Sequence, residues 1–169
     1  ENDSFYSWSS FEEVGILVFE DGHNKELEDV LKIANEELAF FLMKYKKLFS
    51  RARPSQLSSD LQLVINNPGH AAYPSGHATQ SYGTALVLSL VDKDNEEKYL
   101  DFAKSVGHRR EIAGVHYPSD TKAGQNLAEK VMAKLVEHPE FQRELQEAKE
   151  SFIKAPGLEN YKMQMVGHN

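Results

Sequence analysis

Between residues 24 and 48 the apolar side chains recur at steps of three and four: Leu27, Val30, Leu31, Ala34, Leu38, Phe41, Leu42, Tyr45 and Leu48. That spacing gathers them on one face of a helix, whereas a half-buried strand would need strict alternation. A helix of this length has a long apolar stripe to cover, and the same period reappears downstream to cover it. Residues 75–91 read as a buried helix, with Ala85, Leu86, Leu88, Leu90 and Val91 apolar nearly all round. Asn95 opens another helix that runs to Val106 or beyond. Ser119 is placed to cap a helix over 120–137, on which Ala123, Leu127, Val131 and Leu135 repeat every four. Pro139 suits the first turn of a closing helix over 140–152. With no alternating pattern anywhere, the chain is expected to be an all-α, single-domain helical bundle.

Prolines and glycines set the joints. Pro54 is expected to end the long helix, because the residue before a proline is biased away from helical angles. Residues 54–74 hold Pro54, Asn66-Asn67-Pro68-Gly69 and Pro74, which predicts a loop with one helical turn near 61–65. Upstream, residues 1–9 read as an irregular arm and Ser10-Phe11-Glu12-Glu13 as a capping box. Residues 14–19 suit a short helix, though "GILVF" would also suit a strand, and Asp21-Gly22 marks a turn. The domain is expected to span 1–154, with a loose tail over 155–169.

Charge and composition narrow the partners. The net charge of -7 argues against nucleic acid, whose backbone needs a broad basic surface. With no cysteine among 169 residues, disulfides, zinc–thiolate sites and thiol nucleophiles are excluded. No apolar run is long enough to span a bilayer. No signal peptide precedes Glu1, and a processed or truncated chain would have lost one.

Three stretches carry chemistry. In "KYKKLFSRARP", Lys46 and Arg53 are separated by six residues and Pro54 follows. In "YPSGHATQSYG", Pro74-Ser75-Gly76-His77 stands at the front of a helix. In "RREIAGVHYPSD", Arg110 is followed by five residues, His116, three residues and Asp120. Three cations, two imidazoles, a carboxylate and a helix start suit a tetrahedral oxyanion. Guanidinium forks and a lysine ammonium can meet the charge spread over phosphoryl oxygens. A helix N-terminus aims N–H groups at an anion, and glycine lets the backbone come close. Two imidazoles allow one to attack phosphorus while the other gives a proton to the leaving oxygen. Asp120, four residues after His116, can reach the imidazole Nδ1–H and leave Nε2 free.

In that order the three stretches resemble the signature of the phosphatidic-acid phosphatase type 2 / vanadium haloperoxidase superfamily. The stretch "HPEFQRELQEAKESF" further resembles the closing helix of bacterial class A non-specific acid phosphatases, and the likeness covers roughly residues 40–152. The resemblance implies a helical bundle and a soluble phosphatase acting on phosphate monoesters without a metal. It implies His116 as the nucleophile that becomes phosphohistidine, Asp120 as its orienting partner and His77 as general acid and then base. It implies Lys46, Arg53, Ser75, Gly76 and Arg110 as the phosphate holders. It also implies a periplasmic or secreted location and a small phosphorylated substrate; homo-oligomerisation stays open. The chain departs from the pattern in carrying Arg109 where the family often has serine, and the spacing assigns Arg110 to the site.

Plainer roles compete for the same residues. Ser75-Gly76-His77 alone would pass for an ordinary cap, residues 44–53 for a solvated basic helix end, and His116 with Asp120 for a buried polar pair. Lys44, Lys47 and Arg51 are expected at the surface, as are His23, His108, His138 and His168. His70 and Tyr73 could equally line the pocket mouth or be loop residues. Among functions, a vanadate-dependent haloperoxidase is the nearest alternative, with vanadate as cofactor on His116; otherwise vanadate would bind as a phosphate analogue and no cofactor is expected. A lipid phosphate or prenyl diphosphate phosphatase and an inactive phosphate binder are the others. A protonated His77 and a neutral His116 together imply a bell-shaped profile centred on mildly acidic pH.

Overall fold

The computed structural model describes residue 11 and residues 23–154. Among them the elements are all helical: α1 (Lys25–Phe49), α2 (Pro54–Leu57), α3 (Gly76–Val91), α4 (Glu96–Ile112), α5 (Pro118–Leu135) and α6 (Pro139–Ser151), with a 3-10 turn at Lys93–Asn95. The expectation of an all-α bundle holds. The capping box at 10–13 apart from Phe11, the short helix at 14–19, the turn at 21–22 and the tail from 155 lie outside the described residues. Phe11 itself is fully buried, its ring 4.8 Å from that of Phe102.

Helix α3 is the hub, packed against α1, α4 and α5, while α1 also lies on α5 and α6. Three covered sides leave α3 only a narrow strip toward solvent, with Tyr82 and Leu86 half-buried and Leu90 exposed, which is why its sequence is not amphipathic. It buries Ala78, Ala85, Val87 and Leu88 together with Thr79, Ser81, Thr84 and Ser89. Hydroxyls in such a position need acceptors, since an unpaired buried one costs about 1–3 kcal/mol. Thr79 donates to the Ser75 carbonyl at 2.8 Å, Ser89 to Ala85 at 2.7 Å and Ser81 to Ala103 at 3.3 Å.

On α1 the stripe buries Leu27, Val30, Leu31, Ala34, Leu38 and Leu42. Each buried Leu or Val contributes about 1.5–3 kcal/mol. Tyr45 and Leu48, expected on the same stripe, are exposed instead, Leu48 to 70%. Helix α1 has 25 residues and α3 only 16, so the flank of its last turns outruns the partner. One further step of four from Leu42 brings Lys46, and that position stays buried.

Small residues bring three helices together behind the start of α3. A Cβ on Gly124 of α5 would stand 2.7 Å from the Ser75 carbonyl and 3.1 Å from the Ala78 Cβ. One on Gly107 of α4 would stand 2.7 Å from Thr121 Cγ2 and 3.3 Å from Ala78. Helix propensity alone would favour Gly124→Ala by about 1 kcal/mol. The obstacle is backbone, however, and cannot rotate aside. We expect G124A to lose about 1–3 kcal/mol from overpacking and to push the Ser75 turn out of place. Thermal unfolding and turnover should fall together; a stabilised variant of normal activity would contradict this packing.

Several boundaries differ from expectation. Helix α1 stops at Phe49, with Ser50 in the left-handed region (φ 44°) donating its N–H to the Lys46 carbonyl. Pro54 therefore does not end α1; it opens α2 as the first helical residue, where its missing N–H costs nothing. Gln56 helps by accepting the Arg53 N–H at 2.7 Å. The turn expected near 61–65 is not helical; the one helical turn of this segment is α2 at Pro54–Leu57. Ser119 does not cap α5 either. Pro118 starts that helix, and the Asp120 carboxylate accepts the Tyr117 N–H at 3.0 Å.

Candidate active site

Five elements meet at the N-terminus of α3. Lys46, carried inward by the apolar stripe of α1, donates to the Ala71 carbonyl at 2.6 Å. The chain then turns at Ser50 and runs extended, with Arg53 only 1% exposed. Arg53 donates through Nε and one terminal nitrogen to the His70 carbonyl (3.1 and 3.0 Å) and through the other to the Val115 carbonyl at 2.8 Å. So first and third stretches are tied together through Arg53. The second is tied to the third by the Ser75 N–H, which donates to the Asp120 carbonyl at 3.0 Å.

A specific turn sets the third stretch. Helix α4 ends in Gly114 at φ 77°, a conformation that suits glycine. The Gly114 N–H donates to Glu111 at 2.9 Å and the Val115 N–H to Arg110 at 3.3 Å, the paired bonds of a Schellman cap. The turn buries Val115 and aims His116 back into the bundle, so Arg110 and His116 face one place from opposite ends of five residues.

His116 is nearly covered, at 4% exposure, with Nδ1 3.2 Å from Asp120 Oδ2. Its Nε2 lies 3.4 Å from a terminal nitrogen of Arg53. Arginine can only donate, so Nε2 presents its lone pair and Nδ1 carries the proton. Burial pushes the His116 pKa down to about 4; Arg53 and Lys46 add to this, and the Asp120 hydrogen bond opposes it. Burial would raise the Asp120 pKa, but His116, the Tyr117 N–H and Arg51 outweigh it and keep the carboxyl below its ordinary range.

His77 is the second residue of α3, where backbone N–H groups have no acceptor within the helix. Burial, then Arg110, His116, His70 and Arg53, push its pKa down to about 4. It is thus within electrostatic reach of both other motifs. With its pKa pushed down this far, His77 holds a proton in mildly acidic solution only with an anion beside it. Ser75 is fully buried, its Oγ accepting the Ala78 N–H at 3.4 Å, and a Cβ on Gly76 would touch Leu42 at 3.4 Å and Lys46 at 4.0 Å. Lys46 itself is pushed down to about 7, by burial first and then by Arg53.

All eight residues singled out in the sequence therefore gather at one end of α3. Arg110 is half-buried and within electrostatic reach of His77, whereas Arg109 is exposed and turns to Ser105 Oγ at 3.1 Å. His23, His108 and His138 are exposed as expected, while His168 is outside the described residues. His70 is half-buried, its Nδ1 3.2 Å from a terminal nitrogen of Arg53. Arg51 keeps about a third of its side chain exposed, yet reaches inward to a buried carboxylate. Its guanidinium donates to Asp120 Oδ1 and Ser119 Oγ, both at 2.7 Å, and lies 4.0 Å over the Tyr117 ring. A signal was present in "RARP": residues two apart on an extended chain share a side, so Arg51 should lie on the same side as Arg53.

This fold and this gathering of motifs belong to one family. The model of the PAP2 superfamily matches residues 33–131, more than half of the chain, and the chain belongs to that superfamily. The chain is 40% identical over 85 residues to a non-specific acid phosphatase of Providencia stuartii, covering 50% of this chain and 34% of that one. It is 31% identical over 111 residues to a non-specific acid phosphatase of Salmonella typhi, covering 62% and 44%. Among solved structures, a transmembrane PAP2 type phosphatidylglycerolphosphate phosphatase from Bacillus subtilis aligns with a TM-score of 0.47 and 18% identity, covering 62% of this chain and 54% of that one. The chain spans between a third and a half of the length of these two curated relatives.

Proposed function

We propose that this site hydrolyses phosphate monoesters through a phosphohistidine on His116. The observation that carries the reading is a buried imidazole, held by a carboxylate with its Nε2 facing Arg53, within electrostatic reach of Lys46 and of His77, which Arg110 in turn reaches. Its acid phosphatase relatives support the same chemistry.

The substrate phosphate binds to Lys46, Arg53, Arg110, Ser75 and the first N–H groups of α3, displacing the Arg53–His116 contact. His116 Nε2 attacks phosphorus as the bond to the ester oxygen breaks, and His77 passes its proton to that oxygen, releasing the alcohol. Asp120 stabilises the positive imidazole. His77, now neutral, takes a proton from water as the oxygen attacks phosphorus. Phosphate leaves and His116 is neutral again. The cations supply the electrostatic stabilisation, so no metal or other cofactor is needed; vanadate would occupy the site as a phosphate analogue. Small, water-soluble phosphorylated compounds are the proposed substrates, with a periplasmic or secreted setting. Among the described residues no helix is long and apolar enough to cross a membrane.

Turnover of p-nitrophenyl phosphate, inhibited by vanadate, is the expected result. Halide oxidation with vanadate and peroxide but no ester hydrolysis would overturn the reading in favour of a haloperoxidase.

The pH dependence has a worked sign. His116 must be neutral to attack, so kcat/KM should fall as pH drops through about 4. His77 must be protonated in the complex, where the phosphate charge raises its pKa above the free value of about 4. The basic limb of kcat should therefore lie well above pH 4. Lys46 adds a second slope. Above its free pKa of about 7, binding must take up a proton, so affinity for phosphate weakens as pH rises. Inhibition constants for phosphate measured from pH 6 to 9 in wild type and K46Q should differ in slope by up to about tenfold per pH unit. Parallel slopes would contradict the assignment.

A further inference from the structure

We propose that Arg51 is a positioning residue for the phosphoryl transfer, holding Asp120 so that His116 presents Nε2. The inference rests on the proposed function and extends it to a residue of the first stretch that lies between Lys46 and Arg53 and has no role assigned above.

Asp120 is fully buried and its two oxygens are divided between partners. Oδ2 takes the Tyr117 N–H at 3.0 Å and His116 Nδ1 at 3.2 Å; Oδ1 takes Arg51 at 2.7 Å. A carboxylate held only on Oδ2 could rotate about its terminal torsion, and the imidazole would lose its fixed acceptor. Arg51 stops that rotation. It is itself held at three other points: the contact with Ser119 Oγ, the stack over Tyr117, and its own carbonyl, which accepts the Ala72 N–H at 2.9 Å. Through these contacts one residue joins the chain leaving α1 to the approach to Ser75, by its carbonyl, and to the first turn of α5, by its side chain.

The charged and titratable groups around the His116–Asp120 pair are Lys46 of α1, Arg51 and Arg53 of the following segment, His77 of α3 and Tyr117 before α5, with Arg110 of α4 facing His77. Removing Arg51 takes away one cation next to the carboxylate, which makes protonation of the pair easier. The acid limb should then move to higher pH. Lysine in its place keeps the charge but not the planar guanidinium that lies over the Tyr117 ring.

The test compares wild type, R51Q and R51K by 15N NMR of the histidine tautomers, by kcat and KM across pH, and by inhibition with inorganic phosphate. We expect His116 as a single Nδ1–H tautomer in wild type and a mixture in R51Q. In R51Q kcat should fall roughly 10- to 100-fold, as for lost supporting contacts elsewhere, with phosphate inhibition little changed and the acid limb shifted upward. R51K should keep the wild-type limb and recover part of kcat. A wild-type tautomer and limb in R51Q, with activity lost only in proportion to folded protein, would overturn the proposal. If R51Q does not fold, R51K decides alone, and an unchanged kcat there overturns it. Wild type that hydrolyses no ester would instead defeat the proposed function, and the tautomer comparison would still judge Arg51.

Discussion

His116→Ala is expected to reduce hydrolysis of p-nitrophenyl phosphate by about four orders of magnitude or more. The cations and the start of α3 would remain, so phosphate should still bind; what disappears is the group that forms the covalent bond. The fold should survive the change. Asp120 keeps Arg51 and the Tyr117 N–H when the imidazole is removed, so no buried charge is left alone. The lost packing should cost only about 1–3 kcal/mol, and thermal unfolding measured beside turnover separates the two effects. Activity within tenfold of wild type in H116A would require a different nucleophile.

Asp120→Asn is the second large effect, and its reason is the proton's position rather than charge alone. The carboxylate can only accept, which forces the proton onto His116 Nδ1 and leaves the lone pair on Nε2. An asparagine amide that donates to Nδ1 stabilises the opposite tautomer, with the proton on the attacking nitrogen. The same change removes the ion pair with Arg51. We expect kcat to fall by about 10³- to 10⁴-fold, in line with the loss of an orienting carboxylate in other nucleophile–imidazole–carboxylate systems. Phosphate inhibition should change far less. A fall confined to KM would show that Asp120 serves binding instead.

The helices were legible because a period of 3.6 is a local property of the chain. The stripe from Leu27 to Leu42 could be read directly, and so could the inward lysine, since Lys46 continues that stripe by one more step. The three motifs were legible because their residue types are costly to bury without a purpose. What escaped was the segment after α1. Ser50 ends that helix without a glycine or proline at the stop, so Pro54 drew the boundary in the reading and in fact begins α2. Arg51 escaped for the same cause. On a continuing helix it would face solvent; on the extended chain it reaches Asp120. Ser119 looked like a cap because serine usually is one, but Pro118 starts α5 earlier and frees the hydroxyl for Arg51. In each case a contact distant in sequence decided what local preference left open.

The most direct measurement is capture of the covalent intermediate. His77→Ala should slow the water step, so radiolabelled p-nitrophenyl phosphate, whose leaving group departs without a proton, should load the protein. Quenching in alkali and mapping the label should find one phosphoryl group per site, on the imidazole of His116, stable in base and lost in acid. Label on another residue, or none under conditions where nitrophenol is released, would contradict the account.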